Sequence, residues 1–342
     1  MHHALRLRLD SAALVANWRW LQDHARAPAG AAVKADGYGL GAREAVRLLG
    51  DAGCRDFFVS TWAEAEALGD LPASASLSVL HGVGPRDGAA AMASDARPVL
   101  NTPQQVARWK EIAPGRACDL MVDTGMNRLG LRMDEVHLAD GLTIDTLMSH
   151  LACADEDGRM NQVQLERFRS ICDAVPARRT SLANSAGICL GPDYGFDLVR
   201  PGLALYGGVP RREAIGHIAQ VAFPEAEVVQ RRTVKAGESI GYSATWVADR
   251  DTEAAILNIG YADGYLRCFA GKGGASFGDA RLPLIGRVSM DLVAVDVSAA
   301  PALAEGDWVT MDYALPDAAE ASGLSQYELL TGLSQRLERR WS

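Results

Sequence analysis

Between residues 11 and 210 the chain alternates short apolar runs with amphipathic stretches. The runs are AAVKAD (31–36), DFFVS (56–60), SLSVLHG (76–82), RPVLN (97–101), DLMVDTG (119–125), LMSHLA (147–152), TSLANS (180–185) and LVRPGLAL (198–205). Most are nearly continuous rather than strictly alternating, as expected of parallel strands covered on both faces. Between them EAVRLL (44–49), AEAEALG (63–69), PQQVARWKEIA (103–113) and NQVQLERFRSICDAV (161–175) have helical spacing, and Ser11 is a candidate cap for AALVANWRWLQDHA. Strands separated by helices in this way predict an α/β domain, a (β/α)8 barrel of the TIM type over residues 8–211. A doubly wound open sheet fits less well, because no GxGxxG follows the first run.

The pattern changes after residue 212. AEVVQRRTV, AAILNIGY, LPLIGRVSM, LVAVDVS and DWVTMDY are strand-like, and KAGES, DRD and GKGG supply turns. The last stretch, SQYELLTGLSQRLERRW, has helical spacing. This predicts a second, mainly β domain over 212–342, with residues 1–7 and the strand RLRLD as candidates to join it.

Composition narrows the possible partners. The 342 residues are 48% hydrophobic and 23% charged, an ordinary globular balance, with a formal charge of −9. That sign argues against nucleic acid or an anionic membrane as partner. Six scattered cysteines include no CxxC pair and match no zinc spacing, so no metal is expected and the thiols read as reduced. The N-terminus lacks a signal-peptide core, and no apolar run approaches the ~20 residues that span a bilayer. A cytoplasmic protein is expected.

Candidate chemistry lies at the strand ends, where barrels build their sites. Lys34 closes the first run; there it can pair with a carboxylate, bind an anion, or serve as nucleophile or base. Arg128 sits on the glycine-flanked turn of VDTGMNRLG, suited to clamping an oxyanion. His150 ends the sixth run, where a hydrogen-bonded core histidine is the simpler reading. Ser185, Gly202 and backbone amides follow strands seven and eight, the usual phosphate cradle of such barrels. Arg200 stands in an apolar strand and needs a partner, because an unpaired buried guanidinium costs several kcal/mol. A lysine able to form a Schiff base, a phosphate cradle and a central arginine together suit pyridoxal 5′-phosphate.

The motifs AVKADGYGLGA, VDTGMNRLGL, SHLACADED, ANSAG, FDLVRPGLALYG, AGESIGYSATW, NIGYADGYLR, GRVSMD and YELLTGLSQRLERR resemble the alanine racemase family, in family order from residue 32 to 340. The resemblance implies a barrel, a C-terminal β domain and a homodimer with shared sites, interconverting L- and D-alanine with pyridoxal phosphate and so providing D-alanine for peptidoglycan. It makes Lys34 the Schiff-base lysine and one proton-transfer base. Tyr242 is the opposing base, from the partner subunit. Tyr38, Asn184, Ser185, Gly202, Leu203 and Tyr327 match the phosphate site. By the same resemblance Arg200 matches the group that faces the ring nitrogen, with His150 in support. Arg128 and Met290 lie near the ring oxygen and substrate carboxylate. Tyr261, with Asp155 and Arg287, matches the substrate's access route. Read as residues alone, Tyr242 and Tyr261 are more simply packed aromatics, each with one satisfied hydroxyl.

Two bases on opposite faces of one carbon are what racemisation requires. An arginine at the ring nitrogen cannot readily give up its proton, which should limit side transamination. The sequence departs from the family at Met121, where many relatives carry a carbamylated lysine. Methionine cannot supply that negative charge, so either a bound anion, another side chain or water takes its place, or Arg128 is held more loosely. The alternatives are a serine or broader-specificity racemase, a fold-related decarboxylase of basic amino acids, which Arg200 disfavours, and a non-catalytic carrier of pyridoxal phosphate.

Overall fold

The computed structural model describes residues 3–342. The chain forms two compact units, Ala13–Ala219 and Gln220–Ser342, the latter joined by the N-terminal residues through Ala12. Strand β1 (Leu5–Leu9) belongs to that second unit.

In the first unit seven parallel strands pair in chain order: β2 (Ala31–Ala32), β3 (Asp56–Val59), β4 (Ser76–Val79), β5 (Arg97–Leu100), β6 (Cys118–Met121), β7 (Ile144–Met148) and β8 (Arg179–Ser181). Most of their residues are buried, as predicted for strands covered on both faces. The eighth run forms no regular strand. Val199 makes a parallel bridge with Ala29, and the amides of Gly30 and Ala32 donate to the carbonyls of Val199 and Pro201, which closes the barrel. Pro28 and Pro201 lack N–H groups, so the ladder cannot be continuous there.

The N-terminal ends of these strands carry a network of charged side chains. Arg179 Nη1 and Nη2 donate to Asp56 at 2.9 and 2.6 Å, and Nη2 also reaches Asp145 at 3.1 Å. Arg97 bridges Asp119 at 3.1 Å and Asp145 at 3.2 Å, while Ser78 donates to Asp119 at 2.6 Å. The network spans strands from β3 to β8 at the end opposite the candidate site.

The second unit is built on β9 (Ala222–Val234), thirteen residues long. Its first half pairs with β1, and Glu225–Glu227 also pair with β16 (Trp308–Met311); its second half pairs with β12 (Thr252–Leu257). Through β13 (Gly274–Phe277), β14 (Ala280–Ile285) and β15 (Val293–Asp296) the sheet returns to β12, so six strands close a barrel. A small hairpin, β10 (Ser239–Ile240) with β11 (Trp246–Val247), projects from it. Ile240 and Trp246 pack on the cluster Val234, Ala248, Ala254, Ile285 and Ala294. The expected strand RLRLD does join this unit. The terminal stretch is helical only over Gln326–Thr331. Glu338–Trp341 is β17, parallel to β1, because backbone pairing with that open edge outweighs helical spacing. No helix among the described residues is long and apolar enough to cross a membrane.

Candidate active site

Lys34 does not sit in a strand that runs on to residue 36. Strand β2 ends at Ala32, and Lys34–Tyr38 forms a tight turn. Ala35 (φ 52°, ψ 45°), Asp36 (φ 52°, ψ 52°), Gly37 (φ 63°, ψ 43°) and Tyr38 (φ 57°) are all left-handed. For a residue with a Cβ this conformation costs about 1–2 kcal/mol, so the turn must be held by its surroundings. Asp36 Oδ1 accepts the Ala42 amide at 2.8 Å, the Gly37 amide donates to Val33 O at 2.8 Å, and Glu64 Oε1 accepts the Ala35 amide at 2.9 Å. The buried ring of Tyr38 packs on Tyr206, 4.9 Å between centroids.

Gly202 is required where it stands. A Cβ there would come 2.1 Å from the Tyr38 hydroxyl. Ser185 is buried, and its hydroxyl accepts the amides of Gly202 at 2.9 Å and Ala204 at 3.2 Å. Asn184 caps the turn Ser185–Cys189 by accepting the Gly187 amide at 2.8 Å. Leu203 opens a 3-10 turn, where a backbone N–H has no acceptor within the turn.

Arg200 is buried and satisfied: it donates to Ser181 Oγ and, at 2.6 Å, to the Ser149 carbonyl. Burial lowers its pKa to about 10 against the pull of Asp119, which still leaves it charged at neutral pH. His150 is driven down to about 3 by burial and by the charges of Arg200, Arg128 and Lys34, so it is neutral. Burial and Arg128 also lower the pKa of Lys34, with Glu64 opposing them. Four basic side chains therefore share one end of a barrel in a chain whose formal charge is −9.

Arg128 is exposed on the loop after β6. Asp123 shapes that loop by accepting the amides of Gly125, Met126 and Asn127 at 2.8–3.1 Å. Met121 is buried at the end of β6 and brings no charge toward Arg128. Gln164, fully buried, ties the loops together: it donates to Thr124 Oγ1 and the His150 carbonyl and accepts the Ala152 amide. Glu64, Asp123 and Gln164 are absent from the sequence-based candidates, although the T-x-x-E spacing of Thr61 and Glu64 signals a helix start. Asp155 is exposed on the loop after β7.

The remaining candidates lie in the second unit. Tyr242 is at the tip of the β10–β11 hairpin and is 65% exposed. Ser243 beside it accepts from Arg287 Nη1 at 3.1 Å. Tyr261 starts a short turn, its amide donating to Ser289 O and its ring 5.2 Å from the Arg267 guanidinium. The exposed Met290 accepts the Ala262 amide on its carbonyl at 3.0 Å. This close approach requires Gly260, whose Cβ would lie 2.3 Å from Met290 O. Tyr327 is partly exposed on the helix Gln326–Thr331.

Family models match both units, "Alanine racemase, N-terminal domain" over residues 9–210 and "Alanine racemase, C-terminal domain" over 221–341. The chain belongs to the alanine racemase family. The biosynthetic alanine racemase of Agrobacterium fabrum is 40% identical, covering 98% of this chain and 93% of that relative. The catabolic alanine racemase of the same organism is 41% identical over 98% and 91%. Near-equal identity to both leaves the two roles undivided. Among solved structures, the alanine racemase of Bartonella henselae with covalently bound pyridoxal phosphate has a TM-score of 0.89 and 32% identity, with complete coverage of both chains. The biosynthetic alanine racemase of Pseudomonas aeruginosa has a TM-score of 0.85 and 33% identity, again with complete coverage. Members of the family are isomerases, and the predicted architecture of barrel and β domain is that of this chain.

Proposed function

We propose that this chain is a pyridoxal phosphate-dependent alanine racemase, acting as a homodimer in the cytoplasm and providing D-alanine for peptidoglycan. Lys34 carries the reading: a partly desolvated amine, its proton affinity lowered, at the end of the first barrel strand among Arg128, His150 and Arg200. The residues suit an anionic cofactor. Tyr38, Ser185 and the Gly202–Leu203 backbone would hold its phosphate, with Asn184 alongside and Tyr327 contributing its phenol. The scattered spacing of the six cysteines suits reduced thiols and a reducing compartment.

When bound, pyridoxal phosphate supplies an electron-withdrawing ring that acidifies the Cα–H of an attached amino acid. Lys34 Nζ would move the proton on one face, and the Tyr242 hydroxyl of a second copy on the other. The exposure of Tyr242 supports that arrangement, as do the exposed Val247, Met290 and Leu292 of the same unit. Arg200 would hold its own proton toward the ring nitrogen, with neutral His150 in support. Arg128 and the Met290 N–H would orient the substrate carboxylate. Tyr261, Asp155 and Arg287 would line the access route.

Purified protein incubated with pyridoxal phosphate and single L-amino acids in D2O should convert L-alanine to both enantiomers, each deuterated at Cα. Absence of D-alanine would overturn the reading, and faster conversion of serine would reassign its substrate.

A further inference from the structure

A carboxylate from outside the turn that presents Lys34 helps to hold it. Glu64 is the third residue of the helix Trp62–Leu68, and its Oε2 accepts the amides of Ser60 at 2.6 Å and Thr61 at 3.2 Å while Thr61 Oγ1 accepts the Glu64 amide. That reciprocal cap leaves Oε1 aimed away from the helix, where it accepts the Ala35 amide. Ala35 directly follows Lys34 and begins the left-handed run, at φ 52° and ψ 45°. A residue with a Cβ resists that conformation, and the bond to Glu64 is what its own amide gains there.

We propose that Glu64 is a positioning residue that locks Ala35 in the left-handed region and thereby aims the amine of Lys34; this rests on Lys34 being the reacting amine. Glutamine cannot take over the role. Three N–H groups converge on the two oxygens of Glu64, whereas an amide offers one acceptor and would turn its own N–H2 toward a donor. The same carboxylate opposes the loss of proton affinity that burial and Arg128 impose on Lys34.

The test compares wild type, Glu64→Gln, Ala35→Gly, the double variant and Thr61→Ala. Two readouts are taken: kcat and KM of the holoenzyme with alanine, and amide hydrogen exchange over residues 33–41. Glu64→Gln should lower kcat about tenfold, the order expected when a reacting group loses its alignment, with little change in KM. It should also speed exchange at Ala35. Adding Ala35→Gly removes the Cβ that opposes φ 52° and should restore most of kcat. Thr61→Ala removes only the hydroxyl that accepts the Glu64 amide, keeps all three N–H groups on the Glu64 carboxylate, and should lower Tm while leaving kcat unchanged. Wild-type kcat in Glu64→Gln, a loss that Ala35→Gly fails to relieve, or unchanged exchange at Ala35 would each overturn the proposal. Should the wild type racemise no amino acid, the function reading fails and the exchange arm still decides the role of Glu64 in the turn.

Discussion

Glycine at 202 and arginine at 200 are fixed by different kinds of necessity. At Gly202 the constraint is space, since the Tyr38 hydroxyl occupies the volume of a Cβ. Gly202→Ala should displace that ring and cost about 1–3 kcal/mol of stability by thermal denaturation. Retention of pyridoxal phosphate through gel filtration should fall with it. At Arg200 the constraint is charge. Its guanidinium is buried and hydrogen-bonded, and its pKa of about 10 keeps it protonated. Arg200→Glu should lower racemisation and raise the yield of transaminated cofactor, measured by chromatography after turnover; an unchanged yield would remove the role given to Arg200. Both residues were visible in the sequence, a lone charge and a glycine inside an apolar run. Glu64 and Asp123 were not. Their partners are backbone amides whose direction is set by turns the spacing does not describe, and in sequence each is one more surface carboxylate.

At the scale of elements, the first unit depends on what fills the N-terminal mouth of its barrel. Asp56, Arg97, Asp119, Asp145 and Arg179 each occupy the first or second position of a strand, where one charge in sequence looks merely solvated. Only closure of the sheet brings β3 and β8 close enough for Arg179 to reach Asp56. Burial raises the pKa of Asp145, but its bond to Arg178 and the charges of Arg97 and Arg179 outweigh this and hold it at about 2. A depressed carboxylate stabilises the fold above its unfolded pKa, and that stabilisation is lost as pH falls through the folded value. Asp145 thus contributes about 2 kcal/mol at neutral pH, disappearing between about pH 4 and pH 2. Asp145→Asn should destabilise the protein by about 2 kcal/mol at pH 7, since it removes the charge while Arg97 keeps Asp119 and Arg179 keeps Asp56. Its denaturation midpoint should then vary less than the wild type's over that acid range. The same level shows why the eighth strand was overdrawn: hydrophobicity marked LVRPGLAL, but its proline cannot donate to a ladder.

At the scale of the whole molecule, the proposed sharing of sites can be tested by mixing two inactive proteins. Lys34→Ala and Tyr242→Phe should each abolish or nearly abolish racemisation. Unfolded and refolded together in equal amounts, they should recover about a quarter of wild-type activity, since half the random dimers would hold one intact site. No recovery would mean that the amine and the phenol act within one chain or not at all. The change of pattern near residue 212 marked a second unit, but the structure divides the chain after Ala219 and gives residues 8–12 to the β unit. The edge made by β1 and β17 beside β9 was not legible, because it joins strands from opposite ends of the sequence.

That edge has a consequence for the order of events on the ribosome. Strand β1 emerges well before its neighbours, β9 and β17. The seven paired strands of the first unit, β2 to β8, have all been made before β9 appears. Leu5, Leu7 and Leu9, all buried in the finished protein, must meanwhile stay unpartnered until Ala222–Ala226 arrive. One sticky edge is therefore exposed through most of synthesis, which marks the opening residues as the segment a chaperone would be most useful in shielding.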